Sequence, residues 1–272
     1  MTLRHGSTVA FLLLALATMP APLLAQSRRP PLRPPQPPPT QTNPTFTTAG
    51  PARSFVTFGS AFQVTSASFD SSIRPLEFAE RAIVDTRYST PVLPGFAVGG
   101  GTQVWRNMAI AVDVERVSKS GNGTVSGQVP HPFFFNRLRP VAGDATELHR
   151  VETDVHIQAM WTWPVTRRID LSVAAGPSWM RLSQDIVSDV TVAQTYPYDT
   201  ATFDGVVAPT QTEAGLGFNA GVTVDYRLAQ RVGLVVTTRF SRARLQFDTG
   251  DSGPVGVTAG GGHVGAGLRF RF

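Results

Sequence analysis

The sequence contains no cysteine and almost no lysine, and no apolar run reaches the ~20 residues that a helix needs to cross a bilayer. Without cysteine there is no disulfide framework, no cysteine-linked lipid anchor and no thiolate metal site. Charged residues are sparse, at 16%, and the basic ones are scattered rather than gathered into a stripe or a helix. That scatter excludes nucleic acid as a partner despite the formal net charge of +5. No His-Glu metal spacing occurs, so neither a metal nor another cofactor is expected.

What is present is glycine, proline and alternation. The 272 residues suffice for one all-β domain with extras. Arg4 and His5 precede an apolar run over 9–19 and a small-residue exit ending at Ala25. This reads as a signal peptide over 1–25, and hence as export. Residues 26–50 are dense in proline, which enters neither helix interiors nor sheet ladders, so they are expected to form a semi-rigid or disordered spacer.

From residue 51 to 272 the hydrophobic period is two. Apolar and polar residues alternate over 56–64, 96–104, 108–115, 151–163, 169–179, 216–226, 232–240 and 264–272. Each stretch meets or approaches the ~9–11 residues of a tilted membrane-spanning strand. A soluble β-sandwich also alternates, and three features separate the two. Connections alternate between short (105–107, 164–168, 228–231) and long (66–92, 119–147, 183–213, 248–256). The polar face carries charges at mid-strand, where a sandwich core is apolar. Trp105, Trp161, Trp163, Tyr226 and Phe272 gather at the short-turn ends, and Trp179 and Phe240 towards the long connections, as interface girdles do. The expected fold is all-β: an eight-stranded antiparallel up-and-down transmembrane barrel with short periplasmic turns and long extracellular loops.

The closing stretch 265–272, Gly-Ala-Gly-Leu-Arg-Phe-Arg-Phe, resembles the last strand of bacterial outer-membrane barrels. With the signal peptide and the eight strands, residues 51–272 look like the small OmpA/OmpX-like barrels. The resemblance implies an outer-membrane location with both termini periplasmic. It also implies that Phe270 and Phe272 serve as an insertion signal read by the barrel assembly machinery. No peptidoglycan-binding domain is expected after Phe272, where the sequence stops.

An eight-stranded lumen is just wide enough for side chains to fill it. The alternation points Asp113, Glu115, Glu152, Asp154, His156, Gln158, Arg239 and His263 inward at middle or upper depth. Asp170, Asp225, Arg269 and Arg271 point inward near the turns. Charges buried together offset each other's desolvation. Arg239 is therefore expected to pair with Asp113 or Asp154, and Arg269 or Arg271 with Asp170 or Asp225. Arg116, Arg181 and Arg242 fall on the lipid side at the loop ends of their strands, where an arginine reaches lipopolysaccharide phosphates.

Among the histidines, the His-x-Ser pair of lipid A deacylases occurs only at His5-Gly6-Ser7, and His149 is expected at the outer rim. Residues 183–213 hold Asp185, Asp189, Asp199, Asp204 and Glu213 at no EF-hand spacing, which reads as a solvated acidic loop. Phe133, Phe134 and Phe135 are expected to tuck over the barrel mouth. The leading function is a monomeric, non-enzymatic surface barrel with a structural and interactive role. A narrow porin-like channel is the alternative, and a lipid-modifying enzyme the second.

Overall fold

The computed structural model describes residues 53–65, 67–248 and 254–272. The expected signal peptide and proline-rich spacer lie outside these residues. Every regular element among them is a β-strand. In chain order the strands are β1 (Ser54–Gln63), β2 (Ala67–Ile73), β3 (Leu76–Glu77), β4 (Glu80–Arg81), β5 (Ile83–Thr90), β6 (Leu93–Trp105) and β7 (Met108–Pro130). They continue as β8 (Leu138–Pro164), β9 (Ile169–Asp185), β10 (Asp189–Ala193), β11 (Thr202–Val207), β12 (Thr210–Arg227), β13 (Val232–Asp248) and β14 (Pro254–Arg271).

Eight of these close a ring. β1 pairs with β6, and β7, β8, β9, β12, β13 and β14 follow in order, all antiparallel, until β14 returns to β1. At the seam the Ser54 N–H donates to the Phe272 carbonyl at 3.1 Å and the Phe272 N–H to that of Ser54 at 3.0 Å. Closure leaves the ring without an edge, so its backbone groups pair within it, as a bilayer requires. Phe58, Ile110, Val112, Ile157, Val224 and Leu268 are exposed on the outer face, as alternation places them. The aromatic girdle residues are exposed on that face too. Exposed apolar side chains on strand after strand around a ring form a continuous band, which water would not tolerate and lipid does.

The long connections lie where the sequence places them, but most of their residues are strand. β7 has 23 residues and β8 has 27, well beyond the ~9–11 needed for a crossing. β2 and β5 add to the far end of β7, and β10 and β11 form a separate hairpin. These pieces build a second apolar core outside the belt. Ile73, Val84, Tyr88, Val125, Ala145 and Leu148 pack there with Val187 and Val190. The excursions thus form a small sheet-on-sheet layer above the barrel. Their polar, glycine- and serine-rich face hides this from a reading that seeks bilayer-length alternation.

Tyr88 ties the two layers. Its hydroxyl accepts the Val187 N–H at 2.7 Å and its ring stacks on Phe69 at 4.2 Å. Burial pushes the hydroxyl up to about 12; the Val187 hydrogen bond pulls it down and the Asp185 charge adds to the rise. An unfolded tyrosine titrates near 10. The stability that Tyr88 contributes is therefore complete below about pH 10 and is lost as pH rises from about 10 to 12. Tyrosinate absorbance of the wild type minus that of Tyr88→Phe should show one late step near pH 12. A step near pH 10 would contradict the packing described.

Candidate functional site

The lumen is crossed by charge pairs that join opposite walls. Arg239 on β13 donates to Asp113 at 2.6 Å and to Glu115 at 3.3 Å, both on β7, four strands away around the ring. Asp113 fits because Gly99 faces it: a Cβ there would lie 1.7 Å from Asp113 Oδ1. His263 Nδ1 lies 2.6 Å from Glu115 Oε1, and its Nε2 lies 3.2 Å from Ser241 Oγ. His156 Nδ1 lies 2.8 Å from Ser178 Oγ, which accepts from Asn219 at 2.8 Å. Asp154 is buried at the level of Met180, and its Oδ1 has no hydrogen-bond partner among the described residues. Arg239 takes Asp113 and Glu115, not Asp154.

Nearer the turns, Arg269 donates to Asp225 at 3.1 Å and Arg271 lies 2.5 Å from the same carboxylate. Arg271 also stands 4.0 Å from Asp170, to which Arg227 donates at 2.9 Å through Nε. Arg53, Arg106, Arg227, Arg269 and Arg271 surround a vestibule of about 350 Å³ at this end, against only Asp170 and Asp225.

The sequence reading missed the deepest pair. Arg150 is fully buried and donates to Glu152 through Nε at 2.8 Å and also through Nη2, and to Gln184 at 3.0 Å. The pair spans the lumen to β14, where Arg150 reaches the Thr258 carbonyl at 3.2 Å and Glu152 accepts the Gly260 N–H at 2.8 Å. Arg150 continues the inward parity of Glu152, Asp154 and His156, one step before the stretch that alternation marks as a strand. Arg227 lies equally just past Tyr226. Beside Arg150 and Glu152 the lumen turns apolar: Met180, Leu182, Leu245, Phe247 and Val257 form a buried cluster against which Phe69 packs. The interior is thus charged below, and above it is closed by hydrocarbon packed around the Arg150–Glu152 pair.

Ser241, His263 and Glu115 stand in the order of a hydrolytic relay, and all three are buried. On the outer face, His149 Nδ1 lies 2.7 Å from Ser120 Oγ, a neighbour that sequence spacing did not reveal. Asp185 accepts from the backbone N–H of His149 at 2.8 Å rather than from its ring.

Arg116, Arg181 and Arg242 are exposed on the lipid side. Arg116 and Arg181 both flank Thr153, one strand away on either side, and so form one row. The acidic residues of 183–213 are spread apart: Asp185 accepts from Thr210 at 2.5 Å and Asp199 pairs with Arg137 at 2.9 Å. No group of acidic or histidine residues among the described ones has metal-binding geometry.

Phe133, Phe134 and Phe135 do not tuck over the mouth. They stand at the tip of the β7–β8 hairpin and are 70%, 55% and 77% exposed. The tip is held from below: the N–H groups of Phe133 and Phe134 donate to His131 Nδ1 at 3.1 and 3.2 Å. Buried Arg139 donates to the Pro130 carbonyl at 2.6 Å, to Gln194 at 2.7 Å and to the Tyr198 carbonyl at 3.0 Å, and so ties in the β10–β11 tip. With these groups satisfied, the backbone of the tip is fixed and its rings are left to solvent.

No family model matches the sequence, and no curated protein does. The fold is similar to solved structures. The outer membrane protein OprG from Pseudomonas aeruginosa is 9% identical over 81% of this chain and 96% of that one, with a TM-score of 0.44. Neisserial surface protein A is 16% identical over 80% and 97%, with a TM-score of 0.36. The outer membrane protease OmpT from Escherichia coli is 10% identical over 82% and 98%, with a TM-score of 0.40. Its closed ring, apolar belt and charged interior make the chain an eight-stranded up-and-down transmembrane β-barrel, the fold of the small outer-membrane barrels.

Proposed function

We propose that the chain is a non-enzymatic, monomeric surface barrel that braces the outer membrane and presents a rigid outer platform. The observation that carries this reading is the division of labour along the axis. The lumen is filled from the charged struts up to the apolar cap, while long strands of the wall continue past the belt into a packed second layer. In this reading the short turns and both termini face the periplasm. Phe270 and Phe272, on the outward face of the closing strand, serve as the assembly signal. Arg116, Arg181 and Arg242 grip lipopolysaccharide phosphates at the outer rim, where a guanidinium donates two parallel hydrogen bonds to one phosphate.

Replacing all three by Gln tests the grip. Three exposed charge-assisted contacts of ~0.5 kcal/mol each amount to about tenfold weaker lipopolysaccharide retention through purification. Unchanged retention by a variant that still shows the heat-dependent gel mobility of a folded barrel would refute it. The narrow channel remains the alternative, favoured by the charged vestibule at the turn end, and conductance decides between them.

A further inference from the structure

Three hairpin tips meet at the end farthest from the short turns. The β3–β4 tip brings Leu76 and Phe78, the β7–β8 tip Phe133, Phe134 and Phe135, and the β10–β11 tip Tyr196. The Asn136 N–H donates to Glu80 at 2.6 Å, and the Phe133 ring lies 5.4 Å from that of Tyr198, so the tips form one apex. Leu76 is 69% exposed, Phe78 48% and Tyr196 80%. At ~150–250 Å² per aromatic side chain, the six present on the order of 700 Å², above the ~300–600 Å² of a typical monomer's largest apolar patch.

The backbone at Phe78 is a second, independent sign. Phe78 and Ala79 are the two central residues of a two-residue hairpin turn, at φ of 47° and 63°. Such turns favour Asn-Gly, because left-handed φ crowds a side chain. The chain holds a bulky phenylalanine in a left-handed conformation at the β3–β4 tip.

Resting on the surface-barrel reading, we infer that this apex inserts into the surface of a second, opposing lipid bilayer. Its own membrane is out of reach: from Arg116 at the rim to Pro130, β7 rises roughly 35 Å. The shape favours a fluid partner. Phe133, Phe135 and Tyr196 are more exposed than the girdle rings of the belt, which range from 38% at Tyr226 to 65% at Phe272. Side chains that protrude so far form a convex knob. A flat protein patch shelters its members, and a protein partner needs a matching hollow, whereas acyl chains close around a knob. The tips carry two arginines, Arg81 and Arg137, against three carboxylates, Glu77, Glu80 and Asp199, so the attraction is apolar and gains nothing from anionic lipid.

Barrels held in nanodiscs, with the belt occupied, are mixed with phosphatidylcholine vesicles and floated on a density gradient. Wild type should float with the vesicles, unaffected by about 1 M salt, where charge attraction is screened within ~3 Å. Replacing Phe133, Phe134 and Phe135 by Ser should weaken flotation at least about tenfold. Phe78→Asn, which relieves the turn, should weaken it severalfold without loss of folding. Wild type that stays down, variants that float equally, or nanodiscs that pair through the apex without vesicles would each overturn the inference. Failure of the barrel reading itself would show separately, as loss of heat-dependent gel mobility before any vesicle is added.

Discussion

Arg150→Met should lower the stability of the folded barrel by about 3–5 kcal/mol, the cost of leaving one member of a buried ion pair alone. Glu152 would keep only the Gly260 N–H in a site closed by Met180 and Leu182. Replacing Arg150 by Met and Glu152 by Leu together should recover much of that loss, because no buried charge remains. What persists is the unpaired Gly260 N–H, together with the Gln184 and Thr258 oxygens that Arg150 served, each worth about 1–3 kcal/mol if left unpaired. Arg227→Gln gives the contrast. It breaks a close contact with Asp170, but the Arg227 side chain is 44% exposed and water replaces it, so about 1 kcal/mol or less is expected. Urea unfolding in lipid vesicles, followed by tryptophan emission, ranks the three. If the single Arg150 variant is no worse than the double, the pair does not brace the lumen.

Much of this interior is legible in the residues because a strand has period two and a barrel has an inside. Once Asp113 and Glu115 share a face with each other but not with Val112 and Val114, both carboxylates must enter the lumen. The need for a counter-charge then selects Arg239. Arg150 escapes the same logic only because 119–147 lacks apolar alternation of bilayer length, so a strand that runs on past the membrane looks like a loop. The apolar cap is illegible for a related reason. Leu245, Phe247 and Val257 lie beside a connection that reads as outside the barrel, and only the length of β13 and β14 carries them inward. The aromatic triplet misleads by economy: burying phenylalanine is the ordinary outcome, and nothing local shows that His131 and Arg139 satisfy the backbone and leave the rings to solvent.

Cap and struts make different demands on an ion, and this sets the conductance expected of the barrel. An ion that enters from the turn end meets the vestibule of about 350 Å³, whose arginines outnumber its aspartates. It then meets Arg239 bridged to Asp113 and Glu115, and beyond that a plug of Met180, Leu182, Leu245 and Phe247 with the Arg150–Glu152 pair set among them. Apolar side chains strip a passing ion of its water and offer no partner, and the Arg150 and Glu152 charges set among them are already committed to each other. Wild type should therefore pass no current above that of the bare bilayer. Arg239→Ala should be equally silent, since it empties the strut and leaves the plug. Met180→Ala, Leu245→Ala and Phe247→Ala combined should admit water and open the barrel in steps, with anions favoured by the arginine-rich entrance. Steady current through wild type would hand the function to the channel reading. Opening by Arg239→Ala alone would place the seal in the struts.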